Sequence, residues 1–243
     1  MHMNGTKKID VLGVAFDNLT MDEAVERAWA LMGERRAAYA VTPNPEIVMV
    51  CREDPEAKAA VAAASLTVAD GIGVIYGARM LKTPLKQKIP GIDLTSRLFS
   101  RMAGEGKSVF LLGARPGVAE QAAQNLAEQY PGLLIAGTHD GYFKEDAPVI
   151  EKVNAASPDL LLVCLGAPKQ EKWMHEHAAK LAAGLMIGAG GSLDVFAGTA
   201  ERAPEGWQKA GLEWLYRLIK EPKRIGRMMK LPRFLLCVLF RRG

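Results

Sequence analysis

Short runs of β-branched and leucine-rich residues alternate with alanine-rich stretches of helical period along most of the chain. The runs Ile9–Val14, Ala38–Val41, Leu66–Ala69, Ser108–Leu112, Leu133–Gly137, Leu160–Leu165 and Leu185–Ile187 predict strands. Leu160–Leu165 is apolar at every position, the pattern of a strand buried on both faces of a parallel sheet. Helix starts are also legible. Thr20-Met21-Asp22-Glu23 is a capping box that opens a helix to about Met32, and Asp54-Pro55 and Arg115-Pro116 each place proline at a first helical position. This alternation predicts an α/β fold: a multi-layer, Rossmann-like, mostly parallel sheet with right-handed crossovers and a helical C-terminal appendage. The boundary is set after residue 200, near Ala203-Pro204, with 1–200 as the α/β domain and 201–243 as the appendage.

Charge sharpens that division. Residues 201–243 carry eleven Lys/Arg against four Glu, while residues 1–200 carry twenty bases against twenty-three acids. After Glu221 there is no acid, and bases alternate with Ile225, Met228, Met229, Leu231 and the run Phe234–Phe240. Such a segment suits an anionic membrane surface, but the run is far shorter than the roughly 20 residues of a spanning helix. Trp207, Leu212, Trp214, Leu215, Leu218 and Ile219 predict an amphipathic helix, which either lies on lipid or docks on the body. Nucleic acid is not expected as a partner, because the body is acidic and stacking platforms are missing. The three cysteines are dispersed and form no C-x-x-C pair, and the N-terminus does not read as a signal peptide. A reduced cytoplasmic protein, peripheral on the inner face of the cell membrane, is expected.

In an open parallel sheet, ligands bind beyond the carboxyl ends of the strands. There the sequence places Thr42-Pro43-Asn44, Asp70-Gly71, Gly113–Gly117, His139–Phe143, Gly166–Glu171 and Gly188–Asp194. Gly113–Gly117 reads either as a phosphate cradle at a helix start or as a plain turn. Asp70 reads as a general base or as a helix N-cap, and Thr42 and Asn44 as ligand contacts or caps. Gly71–Gly77 approximates a dinucleotide fingerprint, but Asp70 would repel a pyrophosphate, and Asp93 is not at a strand end. No cofactor is expected. No metal is expected either: D-x-D is absent, and His175 and His177 lie about 200° apart on a helix, where both are expected to face solvent. Arg217, Arg224 and Arg227 recur at one- and two-turn spacing, suited to a diphosphate or to acidic lipid.

Together these motifs resemble the WecG/TagA/CpsF family of bacterial glycosyltransferases. The matching pieces are Thr42–Glu46, Ala69–Gly71, Pro90–Asp93, Leu112–Glu120, His139–Phe143, Leu165–Glu171, Gly190–Asp194, Arg202–Pro204, Leu212–Arg217 and Glu221–Arg224 with Arg227. The resemblance implies inverting, metal-independent transfer of N-acetylmannosamine or a related hexose. The donor would be a UDP-sugar, and the acceptor a sugar on a polyprenyl diphosphate in cell-surface polysaccharide synthesis. It implies Asp70 as the base; Thr42, Asn44 and Gln170 in the sugar pocket; and Tyr142 and Asp194 at the uridine. Arg217, Arg224 and Arg227 would reach the diphosphate as the appendage closes at the membrane. Lys88 stands where family members commonly have Arg, keeping the charge without the bidentate fork. Phosphate contacts at Gly113, Arg115 and Gly117 complete the expected site. A homo-oligomer is compatible with this reading. Two other classes are weighed beside it, a non-catalytic membrane-surface binding protein and a glycosidase, the latter lacking a second carboxylate to pair with Asp70.

Overall fold

The computed structural model describes residues 7–35, 38–222 and 225–241, without the side chains of residues 227 and 228. The described chain opens with an antiparallel hairpin, β1 (Lys8–Val11) with β2 (Val14–Asp17). The sequence pattern predicts a single strand over Ile9–Val14. Instead the chain turns at Leu12 (φ +55°) and Gly13 (φ +91°), the double left-handed turn that matches strand twist. Leucine rarely adopts that conformation, so no turn signal was visible.

The remaining strands are β3 (Ala38–Val41), β4 (Leu66–Thr67), β5 (Ser108–Gly113), β6 (Leu134–His139), β7 (Leu160–Cys164) and β8 (Leu185–Gly188). They form one all-parallel sheet in the order β4-β3-β8-β7-β5-β6. Alternate residues feed opposite cores: Leu161 and Val163 of β7 enter one, Leu160 and Leu162 the other. The crossovers are α1 (Met21–Glu34), α2 (Pro45–Glu53), α3 (Pro55–Ala62), α4 (Ile72–Met80), α5 (Gly91–Gly104), α6 (Val118–Gln129), α7 (Ala147–Ala156), α8 (Lys169–His177) and α9 (Ser192–Phe196). Helices α1, α5, α6 and α9 cover one face; α2, α3, α4, α7, α8 and the hairpin cover the other. The expected capping box is present in full, with Glu23 N donating to Thr20 Oγ1 and Thr20 N to Glu23 Oε2. Arg115-Pro116 does not open its helix; α6 starts two residues later, after Gly117.

The appendage is a string of helices: α10 (Glu205–Lys209), α11 (Glu213–Lys220), α12 (Ile225–Met228) and α13 (Lys230–Arg241). The helix expected across Trp207–Ile219 is broken at Gly211, whose φ is +72° and where an added Cβ would lie 3.1 Å from Ile72. Helix α13 lies on α2 and α4. Phe234 and Val238 are fully buried there, while Leu236, Leu239 and Phe240 point outward. The apolar run Phe234–Phe240 is therefore divided between the protein core and the surface. Glycine at 77 permits the seat, since a Cβ there would sit 2.7 Å from Phe234 Cζ. Among the described residues no helix is long and apolar enough to cross a membrane.

Candidate active site

After β3 the chain leaves for α2 on one face, and after β8 for α9 on the other, which opens a crevice between the ends of these neighbouring strands. Thr42 spans it: its side chain is buried and its Oγ1 donates to the Gly188 carbonyl at 3.3 Å. Gln170, only 3% exposed, fills the floor. Its Nε2 donates to Glu171 Oε1 (2.9 Å), and its Oε1 accepts from Gly190 N (3.0 Å). Glu171 is itself fully buried, and burial, with Glu46 nearby, raises its pKa.

Asp70 follows β4 beside this crevice. It does not cap α4: the N-cap is Gly71, at φ +94°, with no side-chain bond. Its Oδ2 instead accepts weakly from Gly91 N, the first residue of α5, at 3.4 Å. Gly91 packs against Thr42, whose Oγ1 would lie 3.0 Å from an added Cβ. Burial, to which Glu213 adds, outweighs the pull of Arg217, the Gly91 N–H and Lys88 and leaves the Asp70 pKa raised to about 6. A carboxylate so placed is a proton acceptor near neutral pH. Asn44 does serve as a cap, its Oδ1 accepting from Ile47 N at 3.0 Å.

The cationic side of the crevice is built largely by the appendage. Lys88 Nζ meets Glu213 Oε2 at 2.7 Å, with both side chains about one-fifth exposed. Arg202 forks onto Asp93 near the start of α5, at 2.6 and 2.8 Å. Glu213, Asp93 and Arg202 were not singled out from the sequence as site residues. Their partners lie about a hundred residues away, and the only signal was their membership in the motifs around Leu212–Arg217, Pro90–Asp93 and Arg202–Pro204. A second carboxylate does stand near Asp70, but Glu213 is occupied by Lys88.

On the other flank, the loops after β5, β6 and β7 are tied together: Ala114 N donates to the Cys164 carbonyl (3.2 Å) and Gly141 N to the Ala114 carbonyl (2.9 Å). Glycine is required at 113, where φ is +134° and a Cβ would come 2.3 Å from the Cys164 oxygen. Gly117 is the left-handed N-cap of α6. Arg115 and Gly117 are exposed, Tyr142 is 70% exposed, and Asp194 is half-buried. Cys164 lies at the same edge, but burial drives its thiol to about 12, so it is no nucleophile.

The glycosyltransferase family described as WecG/TagA/CpsF matches residues 9–243. The chain belongs to that family. It is also similar to the N-acetylglucosaminyldiphosphoundecaprenol N-acetyl-beta-D-mannosaminyltransferases of Staphylococcus aureus strains MW2 and NCTC 8325 / PS 47. Each is 38% identical over 234 residues, covering 96% of this chain and 92% of the relative.

Within this family member, the expected residues fall into two groups. Asp70, Thr42, Asn44, Gln170, Lys88 and Arg217 gather around the β4-β3-β8 end. Gly113, Arg115, Gly117, Tyr142 and Asp194 line the β8-β7-β5-β6 end. Arg224 lies outside the described residues; Arg227 is in α12, and its side chain is not described. Of the two histidines expected to face solvent, only His175 does. His177 is buried beside Trp173, 3.4 Å from Asp146, and the exposed His175 reaches the Tyr39 hydroxyl at 3.1 Å. Helix α8 presses one histidine into the core, a placement the i, i+2 spacing did not reveal. Among the described residues, no three His, Cys, Asp or Glu side chains gather as a metal site would need.

Proposed function

We propose that this protein transfers N-acetylmannosamine, or a closely related hexose, from a UDP donor to a polyprenyl-diphosphate-linked N-acetylglucosamine, with inversion and without a metal. The S. aureus relatives are named for that acceptor and for the mannosaminyl group they transfer. The observation that carries the reading is Asp70, a partly desolvated carboxylate at a strand end with Lys88 and Arg217 close enough to act on its charge. Asp70 removes the proton from the attacking hydroxyl. That oxygen bonds to the anomeric carbon from one face as the bond to UDP breaks on the other, and UDP departs with the electron pair. Cations and backbone N–H groups at the strand ends meet the developing phosphate charge. In this arrangement the β8-β7-β5-β6 end takes the nucleotide, with Tyr142 and Asp194 at the base, and Thr42, Asn44 and Gln170 face the sugars.

Residues 201–243 are proposed to hold the enzyme peripherally on the inner membrane face. The outward residues Ile225 and Met229, and Leu236, Leu239 and Phe240 at i, i+3 and i+4 spacing on α13, support this. Exposed Tyr76 and Arg79 of α4 and Arg52 of α2 flank them.

The test is a panel of UDP-sugars offered with a lipid-diphosphate N-acetylglucosamine acceptor, scored by UDP release and product anomeric configuration. Turnover with UDP-N-acetylmannosamine that survives excess EDTA and falls roughly 10²–10⁴-fold in Asp70→Asn is expected. Loss of activity to chelator, or undiminished turnover in the variant, would overturn the corresponding part.

A further inference from the structure

We infer that Glu213 is a positioning residue: it serves Lys88 as the internal counter-ion that an incoming substrate phosphate displaces, and so ties release of α11 to substrate entry. The inference rests on the proposed function in one respect, the assignment of Lys88 to phosphate. The geometry supplies the rest. Lys88 and Glu213 meet at 2.7 Å, and each is only about one-fifth exposed, so their charges are less screened than those of a surface pair. No residue of α11 is fully buried, and its apolar residues Trp214, Leu215 and Leu218 are only half-buried, so apolar packing holds this helix less firmly than a core helix. Tyr216 and Lys220 of α11 both turn to Glu201 within the appendage. Glu213 is therefore an anchor between α11 and the body, and it sits on an ammonium close enough to act on Asp70.

The charges around Asp70 give that anchor a second consequence. Lys88 and Glu213 act on Asp70 in opposite directions, Arg217 comes from the same helix as Glu213, and Arg202 is already held by Asp93. While the corner is empty of substrate, Glu213 keeps Lys88 compensated. A diphosphate brings at least two negative charges and several acceptor oxygens to a point-charge ammonium, and it outcompetes one carboxylate. Exchange of partners frees Glu213 and leaves Lys88 facing phosphate. A monoanionic ligand does not repay the broken pair, so the corner selects for multiply charged phosphates.

Inorganic pyrophosphate is the probe, titrated calorimetrically into the full chain and its variants, with hydrogen exchange of residues 213–220 as the second readout. Glu213→Gln keeps shape and removes charge. It is expected to bind pyrophosphate about fivefold more tightly, the scale of releasing one partly exposed ion pair, while the α11 amides exchange faster. A merely structural role would loosen α11 and weaken binding together, and that result overturns the inference. The gain must also vanish in a Lys88→Gln background; a gain that persists there overturns it equally. Unchanged pyrophosphate affinity in Lys88→Gln alone overturns the phosphate side and identifies Lys88, not Glu213, as the failing premise.

Discussion

Asp70 is pulled in opposite directions by its surroundings, and its behaviour with pH follows from the balance. Burial dominates and raises its pKa from 3.8 to about 6. As the proposed base it must be ionised, so kcat/KM is expected to fall below a limb near pH 6 and to level off above it. An acid limb near 4 would show that the carboxylate is solvated. The same shift makes a stability prediction. A carboxyl whose folded pKa lies above its unfolded value favours the fold when protonated, and that contribution is lost as pH rises through about 6. A shift of two units corresponds to roughly 3 kcal/mol as an upper bound. Asp70→Asn is therefore expected to melt above wild type at pH 8, with the gap narrowing between pH 6 and pH 4; equal melting temperatures throughout would contradict the burial argument. The position of Asp70 at a strand end was legible in the sequence. Its freedom from a capping role was not, because that depends on Gly71 adopting a positive φ.

At the scale of elements, α13 carries an apolar run that sequence alone directs to lipid, yet two of its residues are core. Phe234→Ala is expected to cost about 3–5 kcal/mol in urea unfolding, as for other buried phenylalanines. Gly77→Ala should destabilise in the same direction, because its new methyl occupies the space of the Phe234 ring. If Phe234→Ala unfolds like wild type, α13 is not part of the cooperative core. Inner strands such as β7 were readable because a fully buried parallel strand is apolar at every position. The β1–β2 hairpin was not, since its register depends on Leu12 entering a left-handed turn. The break between α10 and α11 was equally hidden: it falls at Gly211, which takes a positive φ where a side chain would meet Ile72 across the molecule.

For the whole molecule, the inward and outward faces of α13 make separable predictions. Replacing Leu236, Leu239 and Phe240 with serine should leave thermal stability within a few tenths of a kcal/mol, as for exposed sites. It should also weaken co-sedimentation with anionic vesicles roughly tenfold, by loss of apolar burial in the interface. Vesicle binding that is indifferent to these residues would exclude this face as the docking surface. Deleting residues 201–243 has a different effect, because it uncovers the apolar seat between α2 and α4; the fragment is expected to self-associate and to lose transfer activity. A monomeric, fully active fragment would refute both roles.

The sequence by itself determined the layered parallel architecture, the loops proposed to carry the chemistry and the basic, amphipathic character of the C-terminal segment. Those properties follow from local periodicity, turn residues and charge content, which a chain carries whatever it packs against. Tertiary structure alone decided that Lys88 finds Glu213 across 125 residues, that Arg202 takes Asp93, that His177 is buried, and which half of α13 belongs to the core. Pairing and burial are set by distance through space, and no local pattern encodes which remote groups will share a desolvated corner.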